Sequence, residues 1–247
     1  MDHHSVAAIS ITGSCLDVLG SLYLAYDLLG GRYGPLRLLT RAVTYFVVFG
    51  IGYALGLGLF FGLAAGLATG VTLAIELNHA ARGRDHHALP WEALFSAIRG
   101  AGFAVGLYPT VGLRFAVAFG SLSTLGQVIA YARGVRPAMD YMANRRPRFT
   151  RQQFSATVVR AIGNIAAALV CSSFVHHVEH PLLFAVRVGL VTGLVTAVGT
   201  TLNPYIEYYA DNLPERYLGS FGVLLIFCGF SLQSVQYWLQ LFDIHLN

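Results

Sequence analysis

Apolar runs dominate this chain, and the short polar breaks between them set the number of elements. Runs at 5–30, 37–57, 58–79, 91–108, 112–134, 155–175, 181–203 and 217–240 approach or exceed the ~20 residues that a spanning helix needs. Two of the breaks, Gly56–Gly58 and Pro109–Gly112, contain no charge at all. They leave room only for tight turns, so the flanking runs pair as helical hairpins.

The third run, 58–79, carries the clearest internal pattern. Gly58, Gly62, Gly66 and Gly70 recur every fourth residue. On a helix this spacing forms one bare groove, a glycine zipper along which a second helix approaches to backbone contact. A shift of 54 lays Gly58 on Gly112 and Gly66 on Gly120, and a shift of 123 lays Gly66 and Gly70 on Gly189 and Gly193. The pattern therefore predicts an all-α integral membrane protein with eight transmembrane helices in one domain. Three tandem parallel hairpin repeats, about 37–79, 91–134 and 155–203, are flanked by single helices at 5–30 and 217–240. Repeats of equal orientation place any symmetry axis along the membrane normal, and closure of the three around that axis is the expected arrangement.

Composition agrees with this reading. The 247 residues are 55% hydrophobic and 11% charged, well below the ~25% charged residues of a soluble domain, and the mean hydropathy is +0.60. The net charge of +4 comes from arginine, because there is no lysine. That excludes a lysine Schiff base to retinal or pyridoxal phosphate, and a phosphate-loop lysine. Cys15, Cys171 and Cys228 lie in apolar runs without paired spacing, so neither a disulfide framework nor a zinc knuckle is expected. The first run has no basic region before it and is too long for a cleaved leader, so it is read as a retained helix.

Arginine is concentrated at 31–37, 80–87 and 133–153 and is absent from the 53–58 and 107–112 tips. The positive-inside rule places the arginine segments in the cytoplasm. Both termini then face outward, in a bacterial inner membrane. The arginines from Arg133 to Arg151 would attract anionic inner-leaflet lipid; no motif supports nucleic-acid binding. A homo-oligomer is compatible with the glycine faces.

Charges inside apolar runs are costly and mark function or packing. Asp17 and Arg99 are expected near mid-membrane and within reach of each other. Glu76, Glu92 and Asp27 lie closer to the cytoplasmic ends, and together the five outline a polar pathway; a buried ion pair that fixes packing would look the same. Arg114 and Arg187 fall near outer ends, where they can snorkel. At one outward tip, His176, His177, Glu179 and His180 offer ligands for a divalent metal, although HHVEH lacks the HExxH arrangement and a solvated tip is the plainer reading. Pro204 could end the seventh helix and free carbonyls for an ion. No other cofactor is implied, and no nucleophile, dinucleotide or phosphate-loop motif is present.

These features favour membrane transport, as a small channel or carrier for an ion or small polar solute. A membrane-embedded enzyme acting on lipid or quinone, or a structural assembly subunit, would share much of the pattern.

Overall fold

The computed structural model of the chain describes residues 3–28, 36–81, 89–134, 151–175, 178–212 and 215–241. Among them are eight α-helices and no strand: α1 His3–Leu28, α2 Arg37–Leu57, α3 Leu59–Ala81, α4 Leu89–Val111, α5 Leu113–Ala132, α6 Arg151–Val170, α7 Pro181–Asn212 and α8 Glu215–Leu241. Six have stretches long and apolar enough to cross a membrane, in α1, α2, α3, α5, α6 and α7. Helix α4 falls short because Glu92, Arg99 and Pro109 dilute its apolar residues. In α8 the apolar stretch is the shorter Gly219–Val235.

The chain groups into two compact units, Met1–Thr40 with Ala210–Asn247, and Arg41–Tyr209. In the first, α1 and α8 run antiparallel in backbone contact. A Cβ on Gly13 would lie 2.6 Å from the Gly229 carbonyl oxygen, and one on Gly222 would lie 2.8 Å from that of Gly20. Side chains larger than hydrogen at these points would force the helices apart.

The second unit is built from hairpins whose joints are single glycines. Gly58 separates α2 from α3 with φ +95°, and Gly112 separates α4 from α5 with φ +79° and ψ 172°. That backbone region is essentially closed to residues with a Cβ. The hydrogen bonds continue through each joint: Gly58 N–H donates to Ala54 O and Gly62 N–H to Gly58 O, while Gly112 N–H donates to Tyr108 O and Ala116 N–H to Gly112 O. Gly58 is thus the joint and not the first rung of the glycine ladder. The rungs Gly62, Gly66 and Gly70 lie against Ala54, Gly50, Phe46 and Ala42 of α2. Gly120 meets Gly100 and Ala104 in the same way, and Thr124 Oγ1 donates to Ser96 O at 3.1 Å. The third joint is different. Residues Cys171–Phe174 form a 3-10 turn, the chain extends at Val175, and α7 starts at Pro181, where the missing N–H is harmless. Gly189 and Gly193 then pack on Ile165 and Ala161 of α6.

Contacts run from each helix of this unit to the next and return from α7 to α2. Gly52 and Gly56 receive Val195 and Val191, Tyr53 Oη lies 3.3 Å from Thr196 Oγ1, and Arg187 Nε donates to Gly56 O at 2.9 Å. The six helices therefore close a ring. Toward the joints its centre is filled by Tyr53, Phe61, Phe103, Phe115 and Phe119 with Leu107, Val111 and Val188. Ring centroids 5.6–6.2 Å apart link these aromatics and reach Phe184. Helix α7 continues through Pro204 to Asn212, so the expected break at that proline is not present.

Candidate functional site

Below the aromatic layer, toward the loop ends of α3 and α4, the ring interior changes character. Arg99 comes from the middle of α4, ten residues or about 15 Å along the helix from Leu89 at 1.5 Å per residue. Its guanidinium Nη2 donates to Glu76 Oε1 of α3 at 3.0 Å and lies 3.6 Å from Glu92 Oε1, one face further down α4. Nε of the same side chain donates to Phe95 O at 3.2 Å. Arg160 of α6 reaches across to Glu92 Oε1 at 3.5 Å, and Ser96 Oγ donates to that oxygen at 3.3 Å. Glu92 is thus shared by two arginines.

Helical spacing explains the gathering. Glu92, Ser96 and Arg99 step by four and three residues along α4, so they project on one face. Gly102 and Gly106 lie on the face that meets α3 and sit against Ala68, Ala64 and Phe61. That close approach brings Glu76 within reach of Arg99. All four charged side chains are 6–8% exposed. The formal charges cancel, two arginines against two glutamates. In a dry interior this neutrality matters, because removing one member of a buried pair leaves a charge without compensation.

A second polar group adjoins the first through Arg160. On α5, Gln127 Nε2 donates to Ser123 Oγ at 3.3 Å, and Ser123 Oγ donates to Asn164 Oδ1 of α6 at 2.7 Å. Arg160 and Asn164 are four residues apart on one face of α6. These residues, with Gly126, Ala130, Val159 and Gly163, line a crevice of about 20 Å³.

The residues singled out in the sequence fall as follows. Glu76, Glu92 and Arg99 meet in the quartet. Asp17 does not provide the partner of Arg99: it belongs to the α1–α8 unit, where Gln233 Nε2 donates to its Oδ2 at 2.6 Å, while Arg99 is engaged by Glu76 and Glu92. The expected Asp17–Arg99 pair is replaced by these two arrangements, because depth in a helix does not reveal which face a neighbour covers. The side chain of Asp27 lies outside the described residues, as do His176, His177 and residues 135–150 of the arginine segment. Glu179 and His180 are exposed, and the described residues contain no group of three His, Cys, Asp or Glu able to hold a metal. Arg114 is exposed, Arg187 is held by the Gly56 carbonyl, and Arg133 and Arg151 are exposed at their helix ends.

The sequence reading missed Arg160, Asn164, Ser123 and Gln127. A signal was available: Arg160 and Asn164 are polar residues one helical turn apart within an apolar run, the same criterion that drew attention to Arg99.

Comparison of the chain with protein-family models, curated proteins and solved structures finds no match.

Proposed function

We propose that the chain is a multi-pass membrane transport protein, a carrier for an ion or small polar solute, with the Glu76–Arg99–Glu92–Arg160 quartet as its working centre. The observation that carries this reading is the quartet itself: four buried charges drawn from three otherwise apolar helices. Charges at such depth are rare in membrane helices and usually serve ion or proton pathways. Sharing of Glu92 makes the group divisible. A proton on Glu92, or a solute ion competing for either arginine, weakens two contacts at once and lets α6 separate from α4. The aromatic filling of the joint half favours a carrier, which opens alternately, over a standing pore.

The finer architecture belongs to the same proposal. The α2–α3 and α4–α5 hairpins are read as tandem copies, with α6–α7 a diverged third. Support comes from equivalent joints at Gly58 and Gly112 and from the pairing of Gly66 with Phe46 and Gly50, matched by Gly120 with Gly100 and Ala104. The arginine-rich segments face the cytoplasm beside anionic lipid, and both termini face outward.

The test is flux in proteoliposomes holding the full chain, screened with monovalent anions, cations and protons. Wild type should move one class, Glu92→Gln should abolish that movement while the protein stays folded and monodisperse, and Glu92→Asp should recover part of it. Unchanged flux in Glu92→Gln would remove the quartet from the mechanism. Absence of flux in wild type for every class would sink the transport reading.

A further inference from the structure

The crevice between α5 and α6 has a group that its neighbours leave unanswered. Asn164 is 2% exposed, its Oδ1 is used by Ser123, and its Nδ2 is buried without a hydrogen-bond partner. A buried amide donor is normally paired. The direction of the chain from Gln127 to Ser123 to Asn164 leaves the Asn164 amide hydrogens as its free end. The space beside them is made by missing side chains: a Cβ on Gly126 or Gly163 would meet nothing within 4 Å.

We propose that this crevice binds one halide-sized anion. Its volume of about 20 Å³ suits a single one-atom occupant, since a water needs roughly 10–15 Å³ on this measure. The lining provides donors in the Asn164 amide, the Gln127 amide and the Arg160 guanidinium, and it includes no carboxylate. A guanidinium offers five N–H donors and no acceptor, so a bare cation is repelled and a monovalent anion is attracted. Arg160 also holds Glu92 by the long contact of 3.5 Å. An anion in the crevice draws on the same guanidinium, so occupancy and the quartet are coupled through one residue. Binding follows from the crevice alone; the role of the anion as the transported species rests on the transport reading above.

The experiment uses the full chain in detergent, titrating sodium chloride against sodium gluconate at constant ionic strength. Chloride NMR linewidth and thermal unfolding are both read. Wild type should show saturable broadening and a saturable rise in Tm. Gly163→Ala places a methyl group in the open space, and Asn164→Asp keeps the acceptor for Ser123 but brings a negative charge. Each should unfold cooperatively in gluconate and lose the saturable component. A wild-type response that never saturates means a crevice holding only water and overturns the proposal, as does saturation retained by Gly163→Ala. Saturable binding that depends on Asn164, in a protein that moves no anion across liposomes, supports the site while removing the anion as the transported species.

Discussion

Glu92 is the residue on which the interior of the ring turns, because it contacts both Arg99 and Arg160. Losing one partner of a buried pair costs about 3–5 kcal/mol, whereas removing both can be nearly neutral. Arg99 keeps Glu76 in a Glu92→Gln protein, but Arg160 loses the carboxylate it reaches across the ring to meet. Glu92→Gln and Arg160→Gln should therefore each destabilise the fold, and the double variant should be more stable than the two losses added. Coupling of about 0.5–3 kcal/mol is expected for residues in direct contact. Equilibrium unfolding in mixed micelles measures it, and strict additivity would mean that the 3.5 Å contact has no energetic content. Asp17 plays a different part at this scale. Its bond to Gln233 is an interhelical hydrogen bond of the kind that averages about 0.6 kcal/mol in membrane proteins.

Glycines divide into two kinds at the level of helices. Gly66 is a contact point: a Cβ there would lie 2.6 Å from Gly50 Cα, with backbone and not a flexible side chain in the way. Gly126 faces open space. Gly66→Ala should lower stability by about 1–3 kcal/mol, the usual penalty for overpacking. Gly126→Ala should leave it unchanged or raise it, since alanine exceeds glycine by about 0.8–1.0 kcal/mol in helices. Tm of the two purified proteins decides the matter, and equal losses would contradict the assignment. The hairpins were legible in the sequence because glycine spacing and charge-free tips are local signals. Helix α7 was not ended where expected, because Pro204 removes one hydrogen bond without obliging a long helix to stop. The quartet was legible only in part. Glu76, Glu92 and Arg99 stand out as charges in apolar runs, but their partnership depends on how closely α3 and α4 approach at Gly102 and Gly106. Nothing local in the sequence states that a turn of α6 will bring Arg160 to Glu92.

For the molecule as a whole, the proposed orientation makes a direct prediction. Arg133 and Glu179 are both exposed and lie at opposite ends of the second unit. With Cys15, Cys171 and Cys228 replaced, Glu179→Cys should react with an impermeant maleimide added to intact cells. Arg133→Cys should react only after permeabilisation. The opposite pattern would invert the topology and place the arginine-rich segment outside, against the charge rule that orients membrane helices.

The one-residue joints at Gly58 and Gly112 also bear on how a chain with the proposed membrane topology would enter a bilayer. An ordinary helical hairpin must carry a hydrated loop through hydrocarbon before its second helix can settle. Here the joint is a single glycine whose N–H and C=O are already engaged by the helices on either side, and no charged residue lies within either joint. Beyond the terminal amides and carbonyls of the two helices, the joint adds no polar backbone to desolvate, so under the proposed membrane reading α2–α3 and α4–α5 are each suited to enter a bilayer as a finished pair. Under that reading, insertion in steps of two helices is the consequence of these joints.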